Sequence, residues 1–180
     1  MTATASSSMS ISKRKDRLSV RDLVLLALIG ALMFGSKVVL AFLPNVHLNA
    51  LFILLAVLLF GKRAFYSVFV YVLLEGLIYG FGIWFISYLY AWPLLCLAAL
   101  LMRSNRSWLL WAVVAAAHGL IFGALCSIPY IFIQGLPGAI AWWVSGLPFD
   151  CIHAGANFVI VLVLLKPLYE ITGKLVAKKA

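Results

Sequence analysis

Charge is the scarcest commodity in this sequence. Only 11% of its 180 residues are Asp, Glu, Lys or Arg, and five of those are acidic. Soluble domains carry about a quarter charged residues, so a soluble globular fold is excluded. Cysteine is scarce too: the three residues Cys96, Cys126 and Cys151 show no clustered spacing, which excludes a disulfide scaffold and a zinc-ribbon pattern. There is no His-Glu-x-x-His motif and no glycine-rich phosphate loop, so zinc-protease and nucleotide-binding chemistry lack their signatures. What is abundant is apolar: 66% of the chain is hydrophobic, with a mean hydropathy of +1.13. That composition excludes disorder and leaves a compact polytopic membrane protein. Such a chain has no room for a separate soluble catalytic domain.

The formal charge of +9 raises nucleic acid as a partner, but the basic residues sit at the edges of apolar runs. There they act as topology signals and contacts to lipid headgroups. Residues 1–21 form a basic arm ending in Lys13, Arg14, Lys15, Arg17 and Arg21. The apolar run that follows, over residues 22–43, is too long for a signal-peptide core and contains Lys37; it reads as a retained first helix rather than a cleaved leader. Further helices are expected over residues 48–60, 64–81, 84–102, 108–133 and 148–176. Pro148 stands at a favourable first helical position, and a longer loop is expected over residues 134–147. With the N-terminus inside, every loop or tail Lys and Arg falls on one side: Lys62 and Arg63, Arg103 and Arg106, and Lys174, Lys178 and Lys179. The expected fold is therefore an all-α membrane protein of six transmembrane helices with both termini cytoplasmic. Its organisation is a cytoplasmic arm (1–21), a transmembrane domain (22–176) and a short basic tail (177–180).

Ionisable groups inside a membrane are expensive and default to functional hypotheses. At 1.5 Å per residue, Lys37 lies about 22 Å beyond Asp22 and Glu75 about 18 Å beyond Arg63. The two sit at similar depth, as a structural pair, as cavity-lining groups, or as both. Tyr79 lies one turn beyond Glu75 on the same face. On the last helix Asp150, His153 and Asn157 are spaced i, i+3 and i+7 and share a face. They read either as a cap with two interhelical hydrogen bonds or as one wall of a pocket. His118 reads as a packing histidine. Trp92, Trp108 and Trp111 read as interfacial anchors, whereas Trp142 and Trp143, in the expected loop, are a lid or an anchor. Asp150 and His153 point the same way with no nucleophile placed against them, so no catalytic residues and no metal site are assigned, and the chain is not expected to be an enzyme. Small residues recur at four-residue spacing as Ala27, Ala31 and Gly35, a ridge that permits close helix approach.

Two of these features carry a family resemblance that extends over the chain beyond the basic arm. One is the Ala27-Leu-Ile-Gly-Ala31 ridge. The other is Gly146-Leu-Pro-Phe-Asp-Cys-Ile-His-Ala-Gly-Ala-Asn157, leading to Leu165-Lys166-Pro167-Leu168. The chain resembles the substrate-binding S component of an energy-coupling factor (ECF) vitamin transporter. The resemblance implies capture of a vitamin in an outward-facing pocket, with no bound cofactor, in the inner or plasma membrane of a prokaryote. It implies a transmembrane coupling subunit and two cytoplasmic ATPase subunits as partners, with Ala27, Ala31 and Gly35 at the coupling face. The pocket residues expected are Lys37, Asn45, His47, Glu75, Tyr79, Trp84, Trp142, Trp143, Asp150, His153 and Asn157. The outer half is poor in cations, which disfavours a phosphorylated ligand and favours a neutral ring gripped by stacking and hydrogen bonds. The final-helix pattern inclines the ligand towards cobalamin or another corrinoid. Riboflavin, pantothenate, folate and queuosine precursors stay open, as do a self-sufficient small transporter or channel, an intramembrane enzyme, and a small assembly subunit.

Overall fold

A computed structural model describes residues 18–177. The basic collar Lys13, Arg14, Lys15 and Arg17, and the tail residues Lys178 and Lys179, lie outside the described residues. The described residues form α1 (Val20–Val39), α2 (Asn49–Phe60), a 3-10 turn (Gly61–Arg63), α3 (Ala64–Tyr79), α4 (Ile83–Leu101) and α5 (Trp108–Ala177), with no strand among them. Four helical stretches are long and apolar enough to cross a membrane: Val20–Val39, Asn49–Tyr79, Ile83–Leu101 and Trp108–Lys174.

Local chemistry sets the ends of these elements. Ser19 caps α1 by accepting from the backbone N–H of Asp22 at 3.0 Å, so α1 starts two residues before the expected Asp22. At 12 residues, α2 is about 18 Å long and too short to cross a bilayer alone. Its sequence is apolar all round because it is the central helix: eight of its residues are buried, from Asn49 to Val57. Gly61 closes it at φ +60° and turns the chain into α3, a left-handed conformation that glycine adopts without steric cost.

The largest departure from expectation is α5. The expected loop over 134–147 is helical apart from Gly135 (φ 70°, ψ 174°), so the two expected helices are both present but follow each other directly, divided by that one residue. Pro137 sits just beyond the break, where a missing N–H costs nothing. The run folds back on itself at that point. Asp150 Oδ1 accepts from the Gly123 N–H at 3.0 Å, and Asn157 Nδ2 donates to the Ala115 carbonyl at 3.2 Å. Near the turn, Tyr130 stacks on Trp142 with ring centroids 4.9 Å apart. Gly119 permits a close backbone-to-backbone approach, because a Cβ there would stand 2.8 Å from the Ala154 backbone nitrogen.

The other helices assemble around α2. α1 and α3 run parallel: Arg63 bonds Asp22 at 2.7 Å, Ser67 Oγ donates to the Leu26 carbonyl at 2.8 Å, and Lys37 meets Glu75 at 2.5 Å. Gly30 lets the two backbones close, since a Cβ there would lie 2.7 Å from the Ser67 carbonyl oxygen. The core contains Leu51, Leu54, Val68, Tyr71, Trp92, Leu95, Trp111 and Leu165, all essentially inaccessible. Trp92 and Trp111 are therefore core residues. The expectation that they anchor at an interface is corrected: an indole ring offers more area than the gap between these helices could leave empty.

The bundle has two chemically distinct ends. One gathers Asp22, Lys62, Arg63, Arg103 and Arg106. The other gathers Lys37, Asn45, His47, Tyr79 and Trp84, and Lys37 is its sole Lys or Arg among the described residues.

Candidate functional site

The Lys37 end holds two adjoining cavities. One, of 210 Å³, is lined by the α1–α2 segment from Leu40 to His47 together with Lys37, Tyr79, Tyr88, Phe122 and His153. The other, of 430 Å³, is lined by Lys37, Glu75, Tyr79, Trp84 and Tyr88. Lys37, Tyr79 and Tyr88 line both, so the two form a continuous vestibule around one ammonium group.

That ammonium is held from three sides. Lys37 Nζ lies 2.5 Å from Glu75 Oε2, and its side chain is 30% exposed where Glu75 is fully buried. The Tyr79 and Tyr88 ring centroids lie 5.2 and 5.5 Å from Nζ, within the range of a cation–π contact. The pair is neutral as a unit, so the vestibule carries no net charge to demand an ionic ligand. Tyr71 lies under Glu75 beside Asn49 and completes the polar floor.

On the opposite wall an aromatic and imidazole cluster surrounds Trp92. His47 and His153 meet edge to face at 4.7 Å, and Phe122 lies 5.1 Å from His153. His118 stands 5.5 Å from Trp92, and its Nε2 shares a hydrogen bond with the Ala91 carbonyl at 3.0 Å, while its Nδ1 is buried without a partner, so the packing role expected of it is satisfied at one nitrogen only. His153 Nε2 has no hydrogen-bond partner, and His47 Nδ1 has none beyond its own backbone. Buried polar atoms without partners are costly, so these nitrogens mark where a ligand atom gains most. Burial, reinforced by the Lys37 charge, pushes the His47 imidazole down from 6.5 to about 4. Neutral imidazole presents one donor and one acceptor. Among the described residues no group of three or more His, Cys, Asp or Glu could hold a metal ion.

The eleven expected pocket residues divide. Lys37, Asn45, His47, Glu75, Tyr79, Trp84 and His153 come together around the vestibule. Asp150 and Asn157 do not line it; they clamp the two arms of α5. The polar stripe splits because an α-helical face is broad, and only His153 turns towards the cavity. Trp142 and Trp143 lie on the helical second arm of α5 and line neither cavity. Tyr88, Phe122 and Trp92 were missed. The signal for Tyr88 was present in α4, where Trp84, Tyr88 and Trp92 recur every four residues and meet edge to face with ring centroids 5.2 and 5.8 Å apart.

On α1 the ridge stands apart from the packed face. Leu26, Gly30 and Met33 are buried, whereas Ala27 and Ala31 are exposed and a Cβ at Gly35 would meet nothing within 4 Å.

Fold and site together define an all-helical protein with membrane-length apolar helices and a vestibule at the end remote from most of its positive charge. Comparison with protein-family models, curated proteins and solved structures found no match.

Proposed function

We propose that the chain is an integral membrane protein that captures a small, ring-containing micronutrient, as the S component of an ECF-type vitamin importer. The observation that carries this reading is the vestibule: a neutral, aromatic-walled site at one end of the bundle, closed beneath by Tyr71, Trp92 and an apolar core. Capture rather than conduction is supported by the apolar core beneath the site, which among the described residues includes Leu51, Leu54, Leu95, Trp111 and Leu165. In this reading the basic end is cytoplasmic by the positive-inside rule and the vestibule opens outward. The arms of α5 count as two spans and α3 as another, while α2, short by itself, crosses together with the segment from Leu40 to Leu48 that leads into it; with α1 and α4 this reading gives six spans and both termini inside. The outward-facing Ala27, Ala31 and Gly35 ridge suits close approach by a coupling subunit, which would work with two ATPase subunits in a prokaryotic membrane.

The ligand that suits the vestibule is neutral and ring-shaped, stacked on Tyr79, Tyr88 and Trp84 and hydrogen-bonded to His47, His153 and the Lys37–Glu75 pair. The two cavities, of 210 and 430 Å³, favour a compact vitamin over a corrinoid in this reading.

Titration of the purified chain with a vitamin panel, corrinoids included, tests the reading through intrinsic fluorescence. Trp84 lines the site and Trp92 lies beneath it. Saturable one-to-one binding that is lost in His153→Ala and Tyr88→Ala is expected. Ligand flux into liposomes containing this chain alone would replace the capture reading with that of a self-sufficient transporter. Ligand turnover would replace it with that of an enzyme.

A further inference from the structure

The end opposite the vestibule carries a second site, which no step of ligand capture uses. Its head is a 620 Å³ cavity lined by Asp22, Leu59, Phe60, Gly61, Lys62, Arg63, Leu100 and Arg103. Among the described residues that line it, three cations face one carboxylate, which is engaged with Arg63 at 2.7 Å. The arrangement is built rather than incidental. Gly61 at φ +60° lets the Arg103 guanidinium lie over the 3-10 turn, because a Cβ at Gly61 would stand 2.8 Å from Arg103 Nη1. Arg103 is further oriented by donating to the Leu58 carbonyl at 3.2 Å.

Lys62 and Arg63 also line a second groove of 480 Å³, whose remaining walls are Leu18, Phe65, Tyr66 and Phe69. Tyr66 and Phe69 are about half exposed, at 48% and 49%. Phe69 lies six residues beyond Arg63, so the apolar wall descends about 9 Å along α3 from the basic rim. Cationic head and apolar wall meet at the same two residues.

We propose that this composite groove binds one anionic phospholipid, its phosphate between Lys62, Arg63 and Arg103 and an acyl chain along Tyr66 and Phe69. Charge complementarity selects the headgroup: guanidinium groups hold phosphate in bidentate fashion, and juxtamembrane cations attract anionic lipid. The apolar wall selects a lipid over a soluble anion. Lys62 and Arg63 have other contacts within the chain, so the headgroup shares them rather than meeting bare cations. The site is independent of the vestibule and of whatever ligand the vestibule takes.

Native mass spectrometry of the delipidated chain in mixed micelles tests this, with phosphatidylglycerol and phosphatidylcholine offered at equal concentration. One phosphatidylglycerol retained per chain, in preference to phosphatidylcholine, is expected. Retention falls about five-fold for each cation removed, in Lys62→Gln and Arg103→Gln, and falls also in Phe69→Ala. Lys62 is exposed, so Lys62→Gln keeps the test sound if loss of Arg103 disturbs folding. Equal retention of the two lipids, or unchanged retention in both Lys62→Gln and Phe69→Ala, overturns the proposal. So does full displacement of the lipid by millimolar glycerol phosphate, which would make the groove a soluble-phosphate site.

Discussion

Lys37 and Glu75 decide much at the scale of single residues. A fully buried carboxyl group lies 2.5 Å from an amino group that is 30% exposed, and removing one partner strands the other. Lys37→Met is expected to cost about 3–5 kcal/mol, because Glu75 is left buried and uncompensated. The double variant Lys37→Met with Glu75→Gln is expected to recover a large part of that loss. Melting temperatures of the four proteins in detergent check this; equal losses in single and double variants would mean the pair is not coupled. His47 supplies the second residue-scale prediction. Its imidazole titrates at about 4 in the fold against 6.5 when free, so the unfolded chain binds more protons between those values. The His47 contribution to stability is complete above pH 6.5 and is lost as pH falls towards 4. The groups acting on His47 are Lys37, His118 and the rings of Trp92 and His153; none is a carboxylate that could offset the added charge. Stability measured from pH 8 to 4 is expected to fall below 6.5 in the wild type, and to fall less in His47→Gln. The depth match of Lys37 and Glu75 was legible from residue counting alone, since a helix converts sequence distance to height at a fixed rate. The roles of Asp150 and Asn157 were not, because periodicity assigns a face without saying what that face meets.

At the scale of elements, α5 shows where sequence signals mislead. Gly135, Pro137, Gly138, Gly146 and Pro148 together read as a loop, yet only Gly135 leaves helical geometry. Pro137, in the first turn after the break, loses no hydrogen bond it would have made; Pro148 lies inside the arm and forgoes one, and in an apolar surrounding the backbone still gains by satisfying its remaining polar groups internally. The hairpin then depends on glycine where its arms touch. A methyl group at Gly119 would meet the Ala154 backbone nitrogen and Cα at 2.8 and 2.9 Å, and backbone cannot rotate away. Gly119→Ala is expected to destabilise by about 1–3 kcal/mol despite a helix-propensity gain near 1 kcal/mol. Gly155→Ala is the control on the same element: its Cβ would meet nothing within 4 Å, so the propensity gain stands alone and stability is unchanged or raised. Thermal melts of the two variants separate the effects. Equal behaviour would show that the arms do not pack as closely as the hydrogen bonds of Asp150 and Asn157 imply.

Over the whole molecule the sequence divides labour by position: an aromatic vestibule at one end, basic residues at the other, and a small-residue ridge along α1. The division was legible in part because most Lys and Arg of the described residues gather at one end, while Tyr79, Trp84 and Tyr88 gather at the other. The core was less legible, since Trp92 and Trp111 carry the same composition signal whether they anchor at an interface or fill a centre. If the ridge serves a partner rather than the fold, binding and transport must come apart. Ala27 and Ala31 are exposed, and the buried face of α1 is formed by Leu26, Gly30 and Met33. A tryptophan at position 31 therefore displaces nothing within the bundle, but denies another helix its close approach. Ala31→Trp is expected to melt as the wild type does and to bind the vestibule ligand with unchanged affinity, while cellular uptake of that ligand is abolished. Gly30→Trp is expected to fail at the first step, because even a methyl group there meets the Ser67 carbonyl and Val70 within 3 Å. Uptake by Ala31→Trp at the wild-type rate would remove the ridge from the coupling path. Loss of ligand binding in a folded Ala31→Trp would instead tie α1 to the shape of the vestibule through Lys37, one and a half turns further along the same helix.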